Sequence, residues 1–304
     1  MLELQGVFPI VATPFTPEGE VDWAGFEQLC RVLAKGGCHG LTLFGIAGEF
    51  YKLADPERWR MAEIMIAVCR ETGVKSIVSV TDHATEVAVQ TAARIESMGA
   101  DALMLLPPFF LKPGADAFEH HVREVGKRVS VPLVVQYAPD QTGVAIPPEM
   151  LASIANDLPT VQDFKIECKP PGHYISRLLD LTDRSVRIHV GNAGYNMIET
   201  FQRGAVGVMP GCSMFDLYLK INTALEAGDL DAALGLHTPL LEVLNHIRQN
   251  VEMIIALEKH ILMRRGVIAS DYCRRPTYAI DDHDRSLFEV LYERIAPHLD
   301  EVKG

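Results

Sequence analysis

The chain has 304 residues, 48% of them hydrophobic and 22% charged, enough to bury a sizeable core and too apolar for disorder. Lys and Arg number 28 against 40 Asp and Glu, a net charge of −12. With no local basic stripe to override that balance, a nucleic-acid partner is excluded. The apolar runs, such as 102–106, fall far short of the roughly 20 residues of a membrane span. Residues 1–5 lack the positive start and apolar run of a secretory signal, so a cytoplasmic protein is expected. The six cysteines include no C-x-x-C pair and read as reduced, mostly buried thiols, not as a zinc site.

Short runs rich in Val, Ile and Leu alternate with segments of helical period along most of the chain. The first such run is 7–12 and the second 40–44. Asp55-Pro56-Glu57 then opens a helix with Asp55 as its cap, and Met61, Met65, Ile66 and Cys69 form its core stripe. A strand at 76–81 precedes a helix whose inner positions are Ala88, Ala92 and Ile95, closed by Gly99. Runs at 102–106, 132–137, 160–166, 187–190 and 206–209 bring the strands to eight. Their near-continuous apolar character suits parallel strands buried on both faces. Beyond them the chain reads as helix only, broken at Gly228-Asp229 and Gly266.

The pattern predicts an α/β fold, a (βα)8 TIM barrel with appended C-terminal helices. Residues 1–212 would form the barrel through its eighth strand, and 213–304 its last helix and a helical extension of the same structural unit. An open doubly wound sheet is the weaker alternative, because no G-x-G-x-x-G opens the first helix.

In a barrel the C-terminal ends of the strands carry the chemistry. Lys165 ends the sixth strand, whose apolar members are Val161, Phe164 and Ile166, and Pro170-Pro171-Gly172 breaks the chain just beyond. A lysine in a barrel mouth loses solvation, which favours the neutral amine that attacks a carbonyl carbon to form a Schiff base. A solvated surface lysine is the competing reading, and Glu167 and Lys169 are either its neighbours or an exposed flank. Gly45-Ile46-Ala47-Gly48-Glu49 follows the second strand; its glycines would let backbone N–H groups approach a carboxylate, or simply make a strand-to-helix turn. His83 beside Asp82 is an acid/base candidate or a capping histidine. The sequence does not bring His83, His189 and Glu49 together as metal ligands.

Gly6-Val7-Phe8-Pro9, Thr13-Pro14-Phe15, the G-x-x-G-E at 45–49, Pro139 after the fifth strand and Lys165 after the sixth together resemble the dihydrodipicolinate synthase and N-acetylneuraminate lyase superfamily over nearly the full chain. The resemblance implies a barrel with C-terminal helices, a homo-oligomer (tetramer or dimer), and condensation or cleavage of 2-oxo acids through a lysine Schiff base. By the same matching, Gly45, Ile46 and Ala47 would bind the 2-oxo acid carboxylate, while Phe110, Gly191 and Val208 would line the pocket. Dihydrodipicolinate synthases carry a threonine at Ile46 and tyrosines at Phe110 and Gln136, their proton relay, and an arginine at Gln141. Tyr137 lies one residue along and would face the other way unless a bulge re-aims it. The segments 134–139, 164–167, 244–246 and 266–270 resemble the 2-keto-3-deoxy-L-arabonate dehydratase branch, where glutamine also replaces the tyrosine.

The expected function is that of a lyase in which Lys165 forms an imine with the C2 ketone of a 2-keto-3-deoxy sugar acid or a related 2-oxo acid. The imine acidifies C3, and either the C4 hydroxyl leaves as water or the C3–C4 bond breaks to release pyruvate. Glu49, His83, Tyr137 and Gln136 are the candidate partners of the lysine, although Gln136 hydrogen-bonds without shuttling protons. The imine does the electronic work, so no metal or organic cofactor is called for. Condensation of pyruvate in the manner of 4-hydroxy-tetrahydrodipicolinate synthase, and a catalytically silent 2-oxo acid-binding protein, are the alternatives.

Overall fold

In the computed structural model, which describes residues 3–302, strand and helix alternate from the start. The strands are β1 (Gly6–Val7), β2 (Gly40–Leu43), β3 (Lys75–Val80), β4 (Ala102–Leu105), β5 (Leu133–Tyr137), β6 (Asp163–Ile166), β7 (Arg187–Val190) and β8 (Gly207–Val208). They join in one eight-stranded sheet ordered β1-β8-β7-β6-β5-β4-β3-β2, and the pairs from β3 to β8 are parallel. With the intervening helices this is a (βα)8 TIM barrel. The helices are α1 (Trp23–Lys35), α2 (Asp55–Thr72), α3 (Thr85–Met98), α4 (Ala115–Arg128), the single turn α5 (Pro139–Thr142), α6 (Pro148–Asp157), α7 (Gly172–Leu181) and α8 (Met197–Arg203). After β8 come α9 (Phe215–Glu226), α10 (Leu230–Ile247), α11 (Val251–Arg264) and α12 (Asp282–Ile295). No described helix is long and apolar enough to cross a membrane.

The chain divides into two compact units, one comprising the residues up to Gly6 and Lys75–Met209, the other Val7–Val74 and the chain from Pro210 onward. In the first, β4, β5 and β6 are buried along their whole length, as expected of strands covered on both faces. In the second, the first strand is shorter than the expected 7–12, because Pro9 lacks an N–H and cannot donate to a ladder. Pairing resumes beyond it: Ile10 bridges Thr42 on one side and Gly211 on the other.

The expected stripe of α2 is buried at Met61, Met65, Ile66 and Cys69. Its cap is Ala54 and not Asp55. Glu57 decides this, since its carboxylate accepts the Ala54 N–H at 2.9 Å and so fixes the helix start one residue earlier. Gly99 closes α3 with φ 93°, the left-handed geometry that suits glycine. All six cysteines are buried, and among the described residues none forms a disulfide.

Candidate active site

In the first unit, β5, β6 and β7 bring Gln136, Lys165 and His189 side by side, since Gln136 pairs in register with Lys165 and Lys165 with His189. Register partners on neighbouring strands share a face of the sheet. Lys165 is only 4% exposed. Its Nζ lies 3.5 Å from Oε1 of Glu167, which follows by two residues and so returns to the same side. Three further hydrogen bonds hold this glutamate and its backbone. Gln136 Nε2 donates to Oε2 at 2.5 Å, the Asn192 backbone N–H donates to Oε1 at 2.9 Å, and Asn192 Nδ2 donates to the Glu167 carbonyl at 2.9 Å. Charge-assisted bonds of this kind are the strong ones.

The turn after β7 is shaped for that glutamate. Asn192 and Ala193 both have left-handed backbones, at φ 53° and 54°, a conformation that costs non-glycine residues of order 1–3 kcal/mol each. The cost is offset where Asn192 grips Glu167 twice. A Cβ on Gly191 would fall 2.2 Å from Glu167 Cγ, so only glycine leaves room for the carboxylate. Gln136 is likewise committed, with Nε2 on Glu167 and Oε1 buried without a donor among the described residues. Together these residues present a buried primary amine beside a fixed carboxylate, an arrangement with the chemistry to attack a ketone and move the protons involved.

In the second unit, the Gly45–Glu49 loop packs against the chain that follows β1. A Cβ on Gly45 would lie 2.7 Å from the Ile10 side chain, and one on Gly48 2.9 Å from the Val11 carbonyl, while Thr13 Oγ1 donates to the Gly48 carbonyl at 2.7 Å. Close approach therefore fixes both glycines. Ile46–Gly48 form a 3-10 turn whose internal bonds run from Gly48 N–H to the Gly45 carbonyl and from Glu49 N–H to the Ile46 carbonyl. The Ile46 and Ala47 N–H groups stand at its start, where a helical turn leaves its donors unused. Ala47 packs its side chain on Ile255, Ala256 and Cys273. Glu49, fully buried and left-handed at φ 59°, pairs with Lys259 and, at 3.2 Å, with Lys52.

A model of the dihydrodipicolinate synthetase family matches residues 3–294. The chain belongs to this family. It is 27% identical over 298 residues to an L-2-keto-3-deoxyarabonate dehydratase of Azospirillum brasilense, a match covering 96% of this chain and 95% of the relative. To a probable 2-dehydro-3-deoxy-D-pentonate aldolase of Escherichia coli it is 24% identical over 296 residues, covering 96% and 97%. Among solved structures, a dihydrodipicolinate synthase of Rhodopseudomonas palustris superposes with a TM-score of 0.89 at 26% identity, covering 96% of this chain and 97% of that one. The chain is thus a lyase of the dihydrodipicolinate synthetase family.

The remaining expected residues of this family member fall elsewhere. Tyr137 pairs with Ile166, on the face opposite Lys165, because β5 runs without a bulge. Its hydroxyl accepts the Ile146 N–H at 3.3 Å, and its ring stacks on Tyr174 at 4.8 Å. Burial raises its hydroxyl above the ordinary range, opposed by the Ile146 N–H. Val208 pairs with Val190 and so also faces away; Gly207, the partner of His189, occupies the lysine's side. His83 and Phe110 line a cleft of about 450 Å³ with Phe109, Leu111 and His121, in which Lys165 takes no part. There the His83 ring lies 4.6 Å from that of Phe109, and Phe110 is 78% exposed. Burial pushes the Cys168 thiol up to about 11, which keeps it protonated near neutrality.

Of the cluster, Glu167 is open in the sequence between a neighbour of Lys165 and an exposed flank, and Asn192 carries no expected role. The signal for Glu167 was present in the Lys-x-Glu spacing, which returns a strand residue to the same face. For Asn192 no local signal exists, since its role depends on β7 lying next to β6.

Proposed function

We propose that the chain is a Schiff-base lyase of 2-keto-3-deoxy sugar acids, removing water from C3–C4 and leaving C2 as a ketone when the imine is hydrolysed. The observation that carries this reading is the buried pair of Lys165 and Glu167, 3.5 Å apart and braced by Gln136. The Lys165 amine adds to C2, and Glu167 relays the protons by which the carbinolamine loses water to give the imine. The protonated imine withdraws electrons from C3, a proton leaves C3, and the C4 hydroxyl departs as water after accepting a proton. Glu167 is the nearest group equipped for both transfers. The family's tyrosine relay has no counterpart on this face, where Gln136 stands and Tyr137 is turned away.

The Ile46 and Ala47 N–H groups, unused by their own turn, suit a carboxylate. Glu49 we assign to holding its loop, since two lysines claim its carboxylate. A second reading, cleavage of C3–C4 to release pyruvate, draws on the aldolase relative and shares every step up to the imine. The two are separated by product analysis: dehydration yields a deoxygenated 2-oxo acid of unchanged carbon number, aldol cleavage yields pyruvate and an aldehyde. Turnover of pyruvate with aspartate semialdehyde, without action on any 2-keto-3-deoxy acid, would overturn the proposal in favour of condensation. We also propose a homo-oligomer, for which sedimentation of the purified chain is the check.

A further inference from the structure

Below Lys165 on the same strand face lies a charged group that the proposed chemistry does not use. Asp163 precedes the lysine by two residues and is fully buried; two residues along a strand span about 7 Å, within the reach of a lysine side chain. A buried carboxylate in that position is a natural trap for the ammonium group. Both its oxygens are instead engaged from β7, by three donors in all. Arg187 Nε donates to Oδ1 at 2.8 Å and Nη2 to Oδ2 at 2.6 Å, and His189 Nε2 meets Oδ1 at 3.1 Å. Arg187 is the register partner of Asp163, and His189 that of Lys165. The His189 ring is also wedged in place, for a Cβ on Gly207 would fall 2.6 Å from its Nδ1.

We infer that Arg187 and His189 are positioning residues for the reaction: by engaging both Asp163 oxygens and pairing its charge they keep the Lys165 amine at the strand end beside Glu167 and prevent it from folding back into an ion pair. The inference rests on Lys165 being the Schiff-base nucleophile. Burial raises the Asp163 carboxyl, and the hydrogen bonds from His189 and Arg187 outweigh it, leaving the group below its ordinary range. The carboxylate is therefore charged at working pH and competes for any cation left within reach. The charged groups bearing on this face are Asp163 and Glu167 from β6 and its end, Arg187 and His189 from β7, and Glu3, whose charge acts on Arg187.

The test is the rate of borohydride-trapped imine formation with pyruvate as a function of pH, for wild type, His189→Leu, His189→Gln, Asp163→Asn and the double variant Asp163→Asn/His189→Leu. Removing the histidine frees one lone-pair direction of Asp163 for the lysine. His189→Leu is expected to slow trapping about tenfold or more and to move the pH midpoint upward, because the ammonium paired with Asp163 holds its proton more tightly. His189→Gln, which retains an N–H donor, stays within about threefold of wild type. Asp163→Asn in the His189→Leu background restores most of the rate, since the trap is gone; a role confined to packing gives no such rescue. Should His189→Leu fail to fold, Arg187→Gln carries the same comparison, with and without Asp163→Asn. A folded single variant with the wild-type rate and pH profile, or a double variant no faster than the single one, overturns the inference. Wild type that forms no adduct overturns the Schiff-base reading first.

Discussion

Gly191→Ala probes the geometry on which the proposed mechanism depends, without substituting a group that moves protons. The added methyl would fall 2.2 Å from both Cγ and Oε1 of Glu167 and 2.4 Å from Cδ, against the ~3.5 Å or more at which carbon contacts become favourable. The backbone of Gly191 is tied to β6 through its N–H on the Ile166 carbonyl, so the glutamate is what yields. Moving its carboxylate by an ångström or more breaks the 2.5 Å bond from Gln136 and the 2.9 Å bond from the Asn192 N–H. Bonds to a charged acceptor are worth ~1.5–3 kcal/mol each. Losing one of them from the step in which Glu167 moves protons therefore slows imine formation by about 10–100-fold. The assay is rapid mixing with pyruvate followed by borohydride quench and quantitation of the reduced adduct. Glu167→Gln, which keeps the volume and removes the proton-transfer function, should show a comparable loss. A Gly191→Ala protein that is folded, with Glu167 displaced in its crystal structure and yet trapped at the wild-type rate, refutes the argument that Glu167 assists Lys165.

Three further outcomes follow from the same structure. Tyr137→Phe removes a hydroxyl that accepts the Ile146 N–H at 3.3 Å, so turnover should stay within about threefold and stability fall by ~1 kcal/mol; a hundredfold loss of turnover would restore Tyr137 to the reaction. Glu49→Gln leaves the fully buried Lys259 without its carboxylate, and thermal unfolding should show a loss of ~3–5 kcal/mol, whereas a loss of activity at unchanged stability would contradict the structural role. His121, buried, has its pKa lowered to about 4 by burial, with Asp82 opposing. The unfolded chain, titrating near 6.5, thus binds a proton that the native state refuses between those values. Stability must fall as pH drops from about 6.5 to 4, by of order 2–3 kcal/mol, and His121→Gln should remove that part of the slope.

What the sequence discloses about this protein divides by the range over which each feature is determined. Eight apolar runs and the helix stripes are local, and they predict the barrel correctly because β-branched and leucine-rich segments buried on both faces are parallel strands. Lys165 is legible for the same reason, ending its strand before a proline break. The faces of Tyr137 and Val208 follow from strand parity, but only once the register fixes which parity carries the lysine; Gly207 then takes the place expected of Val208. Glu49 is the opposite case. Nothing near it in sequence announces Lys259, which α11 delivers from 210 residues away in the chain, and that partner is what supports the loop-holding role proposed for it. The grip of Asn192 on Glu167, and the engagement of Asp163 by Arg187 and His189, depend likewise on the order of strands.

The measurement that bears most directly on the account is the site of the borohydride-reduced adduct. Incubation with pyruvate or a 2-keto-3-deoxy pentonate, reduction, digestion and mass mapping should place the added carbon skeleton on Lys165 alone, and Lys165→Arg should abolish it while leaving the fold intact. An adduct on Lys169 or another lysine, or none with any 2-oxo acid under conditions where the substrate is consumed, would contradict the claim that this barrel works through an imine at Lys165.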